Sequence, residues 1–212
     1  MDVRRSFRGF TERVARTVDR LSDLYGIPNL GYDAVTLDPS LHGTGIGGYF
    51  GSTPDGLSIL AVSPDQTLNR EVADHEASHS LLAPFLRGIY ARFKGFTASI
   101  SRALAEADVV RNMVDVHGYN LSDLEGYSPI KDGLYRLGRK VADAAGGAKR
   151  LYDLARERGS GGLIDLINSR PDVARAFEDF YNSYDPRTLQ RYGMSEPALA
   201  RARVDGYGYR SR

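Results

Sequence analysis

The sequence predicts an α+β fold: a small antiparallel or mixed sheet, then a helix carrying His-Glu-x-x-His, then a mostly helical C-terminal half. Three observations carry this expectation. Short apolar runs punctuated by Gly and Pro fill residues 32 to 62, the pattern of brief strands. His75-Glu76-Ala77-Ser78-His79 sits in a stretch from Leu68 to Leu82 that contains neither Gly nor Pro. Beyond Gly118, apolar residues recur every three or four positions, which is helical spacing. One unit over 1–212 is expected, with an N-terminal amphipathic helix (1–25), strands (32–62), two metal-binding helices (66–118) and the helical half (130–200).

The 212 residues suffice for one well-buried core. Hydrophobic residues make up 42% and charged residues 26%, the balance of an ordinary globular chain. A net charge of +1 gives no general attraction to nucleic acid or anionic membrane. There is no cysteine, which excludes disulfides and thiolate metal sites. No apolar run approaches the roughly 20 residues of a membrane span, and no signal-peptide core is visible. A cytoplasmic protein is the default expectation.

In chain order, Val3, Phe7, Phe10, Val14, Val18, Leu21 and Leu24 mark one face of the first helix. Six arginines and three acids occupy its other positions, so it reads as a core helix with a solvated face, or as a nucleic-acid or membrane-surface helix. Tyr32–Leu37, Ile46–Phe50 and Leu57–Val62 read as strands, the last two as a hairpin across Gly51–Gly56. Gly43-Thr-Gly-Ile-Gly-Gly48 resembles a nucleotide loop but lacks the P-loop lysine and leads into a strand; a flexible lead is the simpler reading. Ser63-Pro-Asp65 fits a cap region before the motif helix, and Pro84 fits its end. Residues 85 to 94 suit a short helix over the site, and Thr97–His117 a longer one stopped by Gly118. A loop over 120–129, a helix over 134–155 weakened at Gly146-Gly147, a linker at 159–162, helices at 163–167 and 171–184, and a fraying end at 201–212 complete the chain.

On a helix, residues four apart lie on one face, so His75 and His79 can offer two imidazole nitrogens to one ion. Glu76 stands beside that ion, where a carboxylate can take a proton from an activated water and return it to a leaving group. A catalytic zinc needs a third protein ligand. It does not follow directly: Leu82 and Phe85 stand where an extended motif would carry Gly and His. Glu106 is the candidate, because it falls within the apolar stripe of Ala103, Val109, Val110 and Met113. A pairing of Glu106 with Arg or Lys is the structural alternative. Asp108 is the second choice as ligand, but it groups with Arg111, Asn112 and Asp115 on the side read as solvated. His117 lies roughly 16 Å along the axis from Glu106, too far for the same ion, and reads as a core or helix-end residue. His42 reads as a surface histidine.

This arrangement resembles the gluzincin branch of the zincin metallopeptidases, with a spacing from motif to Glu similar to that of ImmA/IrrE-type peptidases. Glu106-Ala107-Asp108 is similar, less closely, to the E-x-x-A-D segment of CAAX prenyl protease and HtpX-like peptidases. There the ligand Glu precedes Ala by three residues, where this chain has Leu104. The resemblance covers about 60 residues. It implies a zincin-like fold, zinc (Zn2+) held by His75, His79 and Glu106, and Glu76 as general base; the leading expectation is a zinc-dependent peptidase acting on a peptide or protein substrate. An extended peptide would pair with an edge strand, Ile46–Phe50 or Leu57–Val62. Tyr119, Tyr127 and Tyr135 are candidate oxyanion donors. Neither membrane nor nucleic acid is an expected partner. The alternatives are an inactive, metal-stabilised binding or structural module, and a nucleic-acid-binding protein acting through the first helix.

Overall fold

A computed structural model describes residues 3–27, 32–52, 57–86, 90–93, 96–124 and 129–194. It is an α+β arrangement. Helix α1 (Val3–Tyr25) is followed by strands β1 (Ala34–Leu37), β2 (Gly48–Ser52) and β3 (Ser58–Val62), and then by the motif helix α2 (Arg70–Leu82). Two short strands, β4 (Tyr90–Phe93) and β5 (Phe96–Ser99), lead into α3 (Ser101–Asp115). Helices α4 (Lys131–Ala145), α5 (Ala148–Ser169), α6 (Pro171–Asn182) and α7 (Pro186–Arg191) make up the second half.

The three-stranded sheet has the order β1-β3-β2, with β1 parallel and β2 antiparallel to β3. The hairpin register runs from Gly48 opposite Val62 to Ser52 opposite Ser58. Because β3 is central, Leu57–Val62 is not an edge and that choice of peptide-pairing strand falls away; β2 is an edge. Phe10, Val14 and Val18 of α1 pack with Leu60 and Val62 of β3 and with Ala73 and Ala77 of α2. Each large apolar side chain buried this way contributes roughly 1.5–3 kcal/mol, so a charge at Val14 would break the layer. The ends of the expected stripe do not join it: Val3 and Leu24 are exposed.

The larger core lies between α3, α4, α5 and α6, with Leu21, Tyr25, Leu81 and Leu82 reaching in from α1 and α2. Helix α4 approaches α3 at Gly138, where a Cβ would overlap the carbonyl of Ala107. The expected linker at 159–162 is a kink at Gly159 inside α5.

Two further expectations are corrected. The described part of residues 85 to 94 is not helical: Ala83–Phe85 is a single 3-10 turn, and Tyr90–Phe93 pairs antiparallel with Phe96–Ser99. Thr97 to Ser99 are therefore strand, and the helix begins only at Ser101. Tyr90, Phe93, Phe96 and Thr97 are the β-branched and aromatic types that favour this pairing. The end at 201–212 and Tyr127 lie outside the described residues. No helix among those residues is long and apolar enough to cross a membrane.

Candidate metal centre

Helix α2 starts at Asn69, whose side chain accepts the Val72 N–H at 3.3 Å. Ser63 instead precedes a separate 3-10 turn, Pro64–Gln66, so the cap lies nearer the helix than Ser63-Pro-Asp65. The uninterrupted helix sets the rings of His75 and His79 one turn apart, with centroids 5.0 Å from each other. Its rotation is fixed from behind by Asp74, which is buried. Asp74 accepts from the Thr17 hydroxyl at 2.7 Å and from the Tyr119 hydroxyl at 2.9 Å.

Helix α3 brings Glu106, 0% exposed, against that face. Its Oε2 lies 3.6 Å from His75 Nε2 and 3.5 Å from His79 Nε2. One ligand atom from each of the three residues falls within 4.8 Å of the others. Two donors on a tetrahedral zinc with bonds of about 2.0–2.1 Å stand ~3.4 Å apart, so the spacing fits such an ion. The other carboxylate oxygen, Oε1, lies 2.7 Å from Arg102 Nη2, one turn back on α3. Glu106 thus has the cationic partner of the structural alternative, and still turns its second oxygen to both histidines.

Asp108 does not reach this group. It lies buried on the far side of α3, 2.8 Å from Arg111 Nη2 and 3.0 Å from the Tyr152 hydroxyl. Arg111 and Asn112 are buried there as well, and the Tyr25 hydroxyl donates to Asn112 Oδ1 at 2.8 Å. The expected solvated face is a buried polar network closed by tyrosines from α1 and α5; only Asp115 is exposed.

Burial and the neighbouring His79 hold His75 far below its ordinary value, at about 3, so its ring is neutral and offers one unprotonated nitrogen to a metal. Burial works against a proton on His79 too, but Glu106 outweighs it and raises that ring. Burial pushes Glu106 up, yet His79, Arg102 and His75 together bring it well below the carboxylate range. Glu76 is only 5% exposed, and burial lifts it to about 7. Its Oε2 has no hydrogen-bond partner among the described residues. Three metal-type donors beside an unsatisfied carboxyl form a set that could hold a divalent ion and still leave a position open.

The group opens into a cleft of about 640 Å³ between α2 and the edge strand β2. The glycine-rich run before β2 serves this packing: a Cβ on Gly48 would meet Glu76 Cγ at 3.1 Å. Phe50 stacks on His79 with centroids 6.4 Å apart. The far wall is Arg191, Tyr192 and Gly193, at the end of α7. Asp185-Pro186 marks the start of that helix in sequence, but nothing local shows that it returns to the motif.

The remaining candidates lie elsewhere. Tyr119 is bound to Asp74, and the Tyr135 hydroxyl donates to Asp115 at 2.8 Å. His117 packs against α2, its Nε2 3.3 Å from Ser78 Oγ. His42 is exposed, beside Asp65. Comparison with family models, curated proteins and solved structures finds no match to this chain.

Proposed function

We propose that the chain is a zinc-dependent metallopeptidase of gluzincin type. The observation that carries this reading is the convergence of His75 Nε2 and His79 Nε2 on Glu106 Oε2, at 3.6 and 3.5 Å, with the Glu76 carboxyl beside them in a cleft. Zinc in that set would supply Lewis acidity, polarising the scissile carbonyl and making water a better nucleophile at neutral pH.

The residues divide the remaining work. Zinc would be held by His75, His79 and Glu106, while Arg102 fixes Glu106 Oε1 and, after His79, helps to keep that carboxylate ionised. Glu76 takes the proton of the attacking water at its unpartnered Oε2 and delivers it to the leaving amine. The edge of β2 offers backbone groups to an extended peptide lying along the cleft. Burial of Glu76 behind Gly48 excludes competing water from its carboxyl.

The test is Glu76→Gln. The variant should bind zinc like the parent and lose peptide hydrolysis by 100-fold or more, about the lower end of a general base's contribution. Hydrolysis at the parental rate would remove Glu76 from this role.

One observation favours a second reading, a metal-stabilised binding module without turnover: the Tyr119 and Tyr135 hydroxyls are committed to Asp74 and Asp115. That module would lose thermal stability on chelation and cleave no peptide.

A further inference from the structure

The cleft beside the metal-binding group carries two arginines, Arg102 of α3 and Arg191 at the end of α7. Arg102 joins that group by direct contact: its Nη2 lies 2.7 Å from Glu106 Oε1, while Oε2 of the same carboxylate faces the two histidines at 3.6 and 3.5 Å. The guanidinium and the imidazole nitrogens are therefore no more than roughly 9 Å apart, a span of two to three extended residues at ~3.3 Å each. Glu106 is 0% exposed, yet the Arg102 side chain is 56% exposed, so it runs from the buried carboxylate to the open cleft. Arg191 stands on the far wall, exposed and without an ion pair among the described residues.

We infer that Arg102, with Arg191 across the cleft, binds a carboxylate of the substrate within three residues of the bond that is cut; this rests on the peptidase reading above and narrows its substrate class. A guanidinium presents more N–H donors than one contact to Oε1 uses, in a planar fork that matches a second carboxylate. Pairing with Glu106 alone does not call for a side chain that reaches the open cleft. No lysine lines the cleft among the described residues, so the two arginines are its permanently charged cations. Glu71 lines it too, and a substrate carboxylate is drawn to the arginines and away from that acid. Two sources present the same chemistry: the C-terminal carboxylate of a peptide, and an Asp or Glu side chain near the scissile bond.

The test reads binding without turnover, by calorimetric titration of the full chain carrying Glu76→Gln. One pair of probes is acetyl-trialanine as free acid and as amide; the other is acetyl-Ala-Glu-Ala-amide and its Gln counterpart. In at least one pair the charged peptide should bind about tenfold or more tighter than the neutral one, and that pair identifies the source of the carboxylate. Adding Arg102→Gln should bring the ratio to within about twofold, and Arg102→Lys, which keeps the charge without the fork, should retain part of it. Arg175→Gln, at an exposed position of α6 outside the cleft, should leave it unchanged. If Arg102→Gln fails to fold, Arg191→Gln, also at an exposed position, should lower the ratio about threefold or more. Equal binding of charged and neutral peptides in both pairs, or a ratio that survives Arg102→Gln, overturns the proposal. Because no turnover enters these titrations, a wild-type chain that cleaves no peptide counts against the peptidase reading alone.

Discussion

Gly48 of β2 and Glu76 of α2 meet so closely that a Cβ on residue 48 would stand 3.3 Å from Glu76 Oε1, and 2.7 Å from the carbonyl oxygen of Ala61. The glycine sets how near the Glu76 carboxyl, the proposed general base, lies to the edge strand. Gly48→Ala should cost about 1–3 kcal/mol of stability, as overpacking does, and should move the Glu76 side chain. We expect peptide hydrolysis to fall by at least about tenfold while zinc content is kept. Gly51→Ala, whose Cβ would meet only the Tyr49 ring at 3.4 Å, should behave like the parent. Equal activity in the two variants would contradict this role for Gly48.

Arg111, buried on α3, holds Asp108 and stands 2.6 Å from the Tyr152 hydroxyl. Arg111→Met would leave the Asp108 carboxylate buried without its counter-charge, at a cost of roughly 3–5 kcal/mol. Adding Asp108→Asn should recover part of that loss. Urea denaturation of the parent, the single and the double variant reads both effects. A loss under about 1 kcal/mol in the single variant would show that water reaches the network.

Much of this was legible in sequence because it rests on local spacing. The inward residues of α1 recur every three or four positions, and His75 and His79 share a face by helix geometry alone. Glu106 was visible because a carboxylate within an apolar stripe calls for a partner. Asp108, Arg111 and Asn112 were misread because polar residues usually mark solvent. Their partners Tyr25 and Tyr152 lie 87 and 40 residues from Asn112, beyond any periodicity. The approach of Arg191–Gly193 to the cleft is tertiary in the same sense and has no local signature.

His117 should make the fold acid-sensitive. Burial lowers its folded-state value below the ordinary 6.5, with Asp74 acting in the opposite direction. The unfolded chain therefore takes up a proton at a higher pH than the folded one does. The stabilising contribution is complete above pH 6.5 and is lost as pH falls through and below that value. Urea midpoints from pH 7.5 down to 5 should fall more steeply for wild type than for His117→Gln, a comparison in which the other titrating groups cancel. Parallel slopes would contradict the assignment.

The central claim is that His75, His79 and Glu106 hold one ion, and its most direct test is the metal content of purified wild type and Glu106→Ala by mass spectrometry of the ion. The account predicts about one zinc per wild-type chain and a large loss in the variant. Zinc retained in full by Glu106→Ala, or bound by neither protein even after reconstitution, would contradict it.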